Sequence, residues 1–216
     1  MRQPAELRGW GEDGFTLVEL IVAILILGVI TVPLGTIVVG YLHNTGTTTA
    51  RLLESHDVQI ASAYWAQDVA SIGTRSTTSP YPLTQSVETN VPYSSSLYPC
   101  GTTGTTPIVT LAWDDFTGAV PATLVRVAYL VQTVSGETQL HRLRCNGSAV
   151  VVSDVIVAHN LDPSTPPTVA CSGTTGVLCT AAPAVPQTVT LTLALKDPNI
   201  TDSAYVVPLT GQRRQS

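Results

Sequence analysis

The sequence predicts an α+β protein in which a long N-terminal helix is followed by antiparallel strands. Two observations support this fold class. A long apolar run near the N-terminus continues into a segment with helical periodicity, and the C-terminal half contains several short stretches of β-branched and alternating residues. These patterns divide the 216 residues into five segments, 1–14, 15–42, 43–73, 74–107 and 108–216.

The apolar run is long enough to cross a membrane. From Leu20 to Leu42 no residue carries a formal charge. As a helix, 23 residues span roughly 34 Å, and a hydrocarbon core is about 30 Å thick. A secretory signal peptide has a shorter apolar region, about 7–15 residues, and a small-residue cleavage site. A plain anchor explains the length but not Glu19, because a carboxylate entering lipid costs free energy.

The residues just before the run form the motif "GFTLVE", from Gly14 to Glu19. This motif resembles the type III signal of type IV prepilins and type II secretion pseudopilins, in which a glycine, an aromatic or hydrophobic residue and TLxE precede about twenty apolar residues. The resemblance implies that residues 1–14 are a leader peptide. It also implies that prepilin peptidase cuts between Gly14 and Phe15 and that the new amine of Phe15 is methylated.

The same resemblance gives Glu19 a role in assembly. Glu19 would be the fifth residue of the processed chain, the position of the family's glutamate, which is thought to meet the N-terminal amine of a neighbouring subunit. Pairing with that amine offsets much of the cost of a carboxylate in low dielectric. The alternative is an interfacial glutamate whose side chain reaches back to water.

The charges flanking the run predict an orientation. Arg2 and Arg8 lie in the leader, and Arg51 is the first positive charge after the run. By the positive-inside rule, we expect a single-pass protein of the cytoplasmic (inner) membrane with a cytoplasmic N-terminus and an exported C-terminal domain. Within the run, Pro33 lacks an amide donor, and a kink is expected there.

Residues 43–73 are predicted to continue the helix as an amphipathic segment. The stretch "NTGTTTA", residues 44–50, predicts a break or a frayed turn. One apolar stripe follows at spacings of three and four, with Trp65 expected deepest and the acidic residues Glu54, Asp57 and Asp68 largely elsewhere. Gly73 is a plausible stop. The resemblance implies that this half of the helix packs on a sheet. The stripe is Val58, Ala61, Trp65, Val69 and Ile72.

The rest of the chain predicts a loop and then strands. Residues 74–107 are rich in Ser, Thr, Pro and Gly and predict a long, partly disordered loop. The exported β domain, 108–216, contains five strand-like stretches, with a hairpin turn at the "SGE" of residues 135–137. The last stretch alternates leucine or valine with threonine, as in a strand with one wet face. The stretches are 108–113, 123–134, 138–145, 149–159 and 187–196.

Two further stretches suggest a subtype. "VRVAYLVQTVSGETQLHRLRC" resembles the hairpin of J-type minor pseudopilins of type II secretion, and "WAQDVASIG" resembles their helix end, where an aspartate precedes an apolar residue. The resemblance implies a structural subunit of a secretion pseudopilus, with prepilin peptidase and other pilin or pseudopilin subunits as partners. A minor pilin of a type IV pilus or DNA-uptake filament is the alternative. The hairpin positions are Val127, Tyr129, Val131, Leu140 and Arg142.

The four cysteines all follow the membrane segment, and an even number in an exported domain suggests disulfides. Three pairings are open. Cys171 and Cys179 flank a short loop, so we expect them to pair, which leaves Cys100 with Cys145. Four free thiols are the alternative. No C-x-x-C occurs, so a zinc site is not expected.

Other functional classes find little support in the sequence. Net charge −5 and a pI of about 5.2 argue against nucleic-acid binding. We expect no enzyme and no cofactor, because neither G-x-S-x-G nor H-E-x-x-H occurs. Asp197 to Asp202 faintly resembles a calcium loop but lacks its glycine and glutamate. The alternative from another class is a membrane-anchored exported binding or enzymatic domain.

Overall fold

The computed structural model describes residues 14–117, 122–172, 179, 185–198 and 203–214. Most of the predicted leader, residues 1–13, therefore lies outside the described residues. The chain separates into two units, residues 1–48 and residues 49–216. The first unit holds the beginning of the N-terminal helix, and the second holds the end of that helix and all the described strands.

Helix α1 runs from Leu17 to Ser71. The predicted break at residues 44–50 is wrong, because these residues are helical throughout. Their threonine hydroxyls donate hydrogen bonds to carbonyl oxygens of the preceding turn, so these polar side chains have partners within the helix. Pro33 lies inside α1, and the kink there stays a prediction. The hydroxyl bonds are Thr45 to Tyr41, Thr47 to His43 and Thr48 to Asn44, at 2.8, 3.2 and 2.9 Å.

The predicted apolar stripe and helix stop are confirmed. Four stripe residues are buried, and Val58 packs half-buried against the same core. Gly73, two residues past the end of α1, has φ +142°, a conformation that side chains rarely adopt. The expectation for the acidic residues is wrong in part, because Glu54 and Asp68 are buried beside the stripe. The buried stripe residues are Ala61, Trp65, Val69 and Ile72.

Within the described residues the strands form three antiparallel sheets, which confirms the α+β class. The first pairs β1 with β2. The second has the order β3–β4–β5–β6–β7, and the third has the order β10–β9–β8. A 3-10 helix occupies Tyr93–Ser95. The strands are β1 (Thr74–Arg75), β2 (Leu83–Thr84), β3 (Val87–Thr89), β4 (Val109–Asp115), β5 (Thr123–Val134), β6 (Glu137–Asn146), β7 (Val151–Ala158), β8 (Thr168–Ser172), β9 (Thr188–Leu195) and β10 (Tyr205–Gln212).

The central hairpin matches the sequence prediction closely. Strand β5 has the predicted bounds, and Val134 pairs with Glu137 across a two-residue turn. Ser135 and Gly136 both have positive φ, +53° and +87°. Such turns follow the right-handed twist of the strands they join, so the tight turn fixes the register of β5 against β6.

Segment 74–107 is more ordered than predicted. It contains β1, β2, β3 and the 3-10 helix, and its Tyr98 and Cys100 are buried. The carboxylate of Glu88 organises the segment by accepting hydrogen bonds from Ser96 Oγ, Leu97 N and Tyr98 N at 2.5, 3.0 and 3.1 Å. Hydrogen bonds to this buried carboxylate hold the segment in place where its composition offers few apolar contacts. Composition alone therefore predicted too little structure.

One apolar core joins the end of α1 to both larger sheets. Trp65 is the largest of its fully buried side chains, 1 % exposed. Its indole Nε1 donates to the Val189 carbonyl of β9 at 3.0 Å. Its ring meets the Tyr129 ring of β5 edge-on at 5.1 Å. Strand β10 also approaches α1 closely, because a Cβ on Gly211 would lie 2.4 Å from Val69 Cβ.

Candidate processing and assembly site

The N-terminal motif straddles the start of α1. Gly14, Phe15 and Thr16 are non-helical and exposed, and the first helical residue is Leu17. The predicted cleavage point, the Gly14–Phe15 bond, therefore lies in irregular backbone. Phe15 is 83 % exposed. Exposed irregular backbone is the kind that a peptidase reaches, because its amide groups are not engaged in a helix.

Thr16 is the N-cap of α1. Its carbonyl oxygen accepts the first helical bond, from Leu20 N at 3.1 Å. Its hydroxyl Oγ1 accepts a hydrogen bond from Glu19 N at 3.3 Å. The side chain thus satisfies one of the amide groups that the start of a helix leaves without a partner. This role was not predicted from the sequence, although a threonine three residues before a glutamate is the capping-box spacing.

Glu19 is exposed and lies in the first turn of α1. The predicted assembly residue therefore lies in the first helical turn, four residues along the chain from the predicted new N-terminus at Phe15. A carboxylate in a first helical turn is favoured by the partial positive charge of the exposed amides. The position suits a negative group whether or not a second subunit is present.

The apolar half of α1 has no cover within the described chain. None of the most apolar 18-residue window, mean hydropathy 2.7, is buried. Within the described ranges, α1 is the one helix long and apolar enough to cross a membrane. Signal sequences pass the same test, so it is the adjoining motif that points to a pilin-like precursor. An apolar surface of this extent needs lipid or other apolar helices around it.

The other half of α1 is fixed to the sheet by a buried ion pair. Arg142 of β6 donates from Nε and Nη2 to the Asp68 carboxylate at 2.7 and 2.6 Å. Tyr129 of β5, directly opposite Arg142, donates its hydroxyl to the same carboxylate at 2.7 Å. The guanidinium also lies over the Tyr64 ring, 4.9 Å from its centre. This two-point pair fixes distance and orientation together.

The buried contacts among Asp68, Tyr129 and Arg142 determine which of these groups are charged. Burial on its own lowers the pKa of the Arg142 guanidinium, but the hydrogen bonds and charge of Asp68 outweigh burial, so this pKa lies above its ordinary value. Burial, followed by the charge of Asp68, raises the pKa of the Tyr129 hydroxyl well above its ordinary value. Arg142 thus stays charged and Tyr129 stays a neutral donor. Asp68, Tyr129 and Arg142 all lie in the two stretches of the J-type resemblance, but their contact was not predicted from the sequence.

The cysteines form two disulfides. Cys100 bonds to Cys145, 45 residues later, and Cys171 bonds to Cys179, 8 residues later. These are the two pairs expected from the sequence. The first ties segment 74–107 to strand β6, where both sulfurs are buried in a small apolar cluster with Ala128, Leu130 and Leu143.

The expectation that the chain binds no metal stays a prediction. No group of three or more histidine, cysteine or acidic side chains within the described residues has the geometry to hold a metal ion. The faint calcium-like stretch from Asp197 to Asp202 lies partly outside the described residues, which omit 199–202. The same limit applies to most of the loop between Cys171 and Cys179.

Comparison with known families finds the motif at the expected place. A family model described as the prokaryotic N-terminal methylation motif matches residues 11–35. The match supports a type IV pilin-like precursor, a class of structural subunits. Together with the apolar helix it indicates a single-pass, membrane-anchored protein with a C-terminal domain. Searches of curated proteins and of solved structures gave no match.

Proposed function

We propose that the chain is a minor pseudopilin-like structural subunit of a type II secretion pseudopilus. Prepilin peptidase removes residues 1–14 and methylates Phe15, and the N-terminal helix then assembles with other pilin or pseudopilin subunits. The observation that carries the proposal is the methylation motif joined to an apolar helix in whose most hydrophobic window no residue is buried. Lipid covers this surface before assembly and neighbouring helices cover it afterwards.

Glu19 supplies the register between subunits in this proposal. Its carboxylate lies in the first turn of α1, exposed and close to the new N-terminus. A neighbouring subunit offers the positive amine of its own Phe15. Because the pairing takes place at low dielectric, a subunit whose carboxylate meets no amine is penalised. Helices in the correct register are therefore favoured.

The J-type assignment is supported by the buried cluster. Its resemblance rested on two stretches, one at the end of α1 and one in the β5–β6 hairpin. Asp68 of the first stretch contacts Tyr129 and Arg142 of the second. The residues that motivated the subtype therefore act together in holding helix to sheet. A minor pilin of a type IV pilus carries the same N-terminal motif, so the subtype needs its own experiment.

The processing step is tested by intact mass and N-terminal peptide mapping of the membrane fraction. Wild type is expected to begin at methylated Phe15, and Gly14→Ala is expected to keep residues 1–14. Gly11→Ala is the matched control, because it changes a leader glycine away from the cleaved bond and should be cut normally. A wild-type chain that retains its first 14 residues would contradict the proposal and leave α1 as a simple anchor.

The assembly step is tested separately with Glu19→Gln. The variant keeps the size of the side chain and removes its charge, so it should be cleaved and methylated but fail to cross-link to neighbouring pilin or pseudopilin subunits in the membrane fraction. Deleting the gene then separates the systems. Loss of extracellular secreted proteins supports a secretion pseudopilus, whereas loss of surface pili or DNA uptake supports the alternative. Labelling of intact cells with a membrane-impermeant reagent tests whether the C-terminal domain is exported.

A further inference from the structure

We infer that Thr16 is a positioning residue for the proposed cleavage, because its side chain fixes where α1 starts and so keeps the Gly14–Phe15 bond out of the helix. This inference rests on the proposed processing by prepilin peptidase and adds to it a role for a residue one position beyond the cleaved bond. It follows from the capping geometry together with the position of the cut.

The capping geometry defines the helix start. Thr16 uses its carbonyl oxygen to accept from Leu20 N at 3.1 Å and its hydroxyl to accept from Glu19 N at 3.3 Å. A capping side chain occupies a place that a preceding helical turn would otherwise fill. While the Thr16 hydroxyl accepts from Glu19, the backbone at Thr16 stays non-helical, and so do Phe15 and Gly14 before it.

The position of the cut makes this start matter. The scissile bond lies one residue before the N-cap, so a helix extended by one turn would include it. A peptide bond inside a helix has its N–H or C=O engaged in the helical ladder and its backbone coiled, whereas a peptidase binds extended backbone whose amide groups are free. Without the Thr16 hydroxyl, the apolar helix gains partners for its first amides by extending towards Gly14.

Valine tests this inference because it matches threonine in shape and lacks the hydroxyl. In full-length precursor reconstituted with purified prepilin peptidase, Thr16→Val should lower the initial cleavage rate about fivefold, the rate ratio that corresponds to a lost cap of about 1 kcal/mol. Thr16→Ser and Thr16→Asn retain a capping oxygen and should stay within about twofold of wild type. Cα chemical shifts of Phe15 in detergent micelles should turn helical in the valine variant alone.

The possible results separate three explanations. Slow cleavage of Thr16→Val, normal cleavage of Thr16→Asn and a helical Phe15 in the valine variant support the inference. Wild-type rates for Thr16→Val overturn it. Equal loss in the valine and asparagine variants also overturns it, because the peptidase would then recognise threonine itself. A wild-type precursor that is not cut at Gly14 overturns the proposed function instead, and with it the basis of this inference.

Discussion

The two halves of helix α1 leave their apolar side chains in opposite surroundings. In the first half, from Leu17 to Leu42, large apolar side chains are about half to three-quarters exposed, between 48 and 74 %. In the second half, the stripe residues Ala61, Trp65 and Val69 are at most 1 % exposed. The first half is apolar all round, whereas the second is apolar on one face. One half thus depends on an environment that the described chain does not supply, and the other builds its own core.

The largest expected effect comes from breaking the ion pair that fixes the second half. Asp68→Ala should lower the free energy of unfolding of the C-terminal domain by about 3–5 kcal/mol, because Arg142 is left charged, buried and unpaired. Denaturant titration in detergent, followed by near-UV circular dichroism, measures the change. The apolar half of α1 should keep its far-UV helical signal under the same conditions.

Two companion variants make the Asp68 result specific. Asp115→Ala removes a carboxylate that accepts hydrogen bonds from Thr117 two residues on and should leave the stability of the domain close to that of wild type. The double variant Asp68→Leu with Arg142→Met should recover most of the loss, because well-packed apolar residues can replace a buried pair. Equal losses in Asp68→Ala and Asp115→Ala would show that the pair does not anchor the helix.

The two disulfides should contribute unequally. By loop entropy, removing the Cys100–Cys145 bond with two serines should destabilise the domain by about 4 kcal/mol, and removing Cys171–Cys179 by about 2.5 kcal/mol. The loops close 45 and 8 residues respectively. Thermal unfolding of the two double variants measures the order. The reverse order would mean that the short loop is held by contacts beyond its covalent bond.

Gly211 and Gly46 lie in different surroundings: Gly211 packs closely against α1, and Gly46 faces open space. Gly211→Ala should destabilise by about 1–3 kcal/mol, because its new methyl group would lie 2.4 Å from Val69 Cβ. Gly46→Ala in α1 meets nothing within 4 Å and should stabilise the helix by up to about 1 kcal/mol. Val69→Ala combined with Gly211→Ala should lose less than the sum of the single changes. Additive losses would place the strain elsewhere.

The smallest expected effect is the loss of a stability contribution from Asp162 at acid pH. Ser164 donates to Asp162 from its hydroxyl at 2.7 Å and from its backbone N–H at 3.0 Å, and these bonds lower the pKa of Asp162 below its ordinary value. The ionised carboxylate of Asp162 therefore contributes to folding stability above the pKa that it has in the unfolded chain, about 3.9. This contribution is lost as pH falls through the lower pKa of the folded state. The stability gap between wild type and Asp162→Asn should close below about pH 4. A gap that does not narrow as the pH falls below about 4 would show that packing, and not the charge of Asp162, causes the difference.

Local patterns predicted the elements that local forces determine. The bounds of β5 follow from its run of β-branched and apolar residues ended by Ser135-Gly136, since only such a turn closes a two-residue hairpin here. The alternation in β9 predicted its buried face, from Val189 to Leu195. The stripe of α1 and its stop at Gly73 follow in the same way from spacing and backbone freedom.

The missed elements depend on distant partners. Strand β10 contains Pro208 and Gly211, which argue against a strand, yet it forms an edge of its sheet, where Pro208 needs no second partner. Gly211 is explained by the closeness of Val69. The contact between Asp68 and Arg142 joins residues 74 positions apart, and no spacing rule reaches that far. The cap at Thr16 was visible in the sequence and was overlooked.

The Cys100–Cys145 bond also changes how the domain responds to stretching. The covalent loop that it closes contains β4, β5 and all of β6 except its last residue, Asn146. A chain pulled from its ends cannot lengthen through these 45 residues, which removes about 150 Å of extension at about 3.4 Å per residue. In a subunit pulled along a filament, β4 and β5 would therefore stay within the covalently closed loop, even if the rest of the domain unfolded and extended.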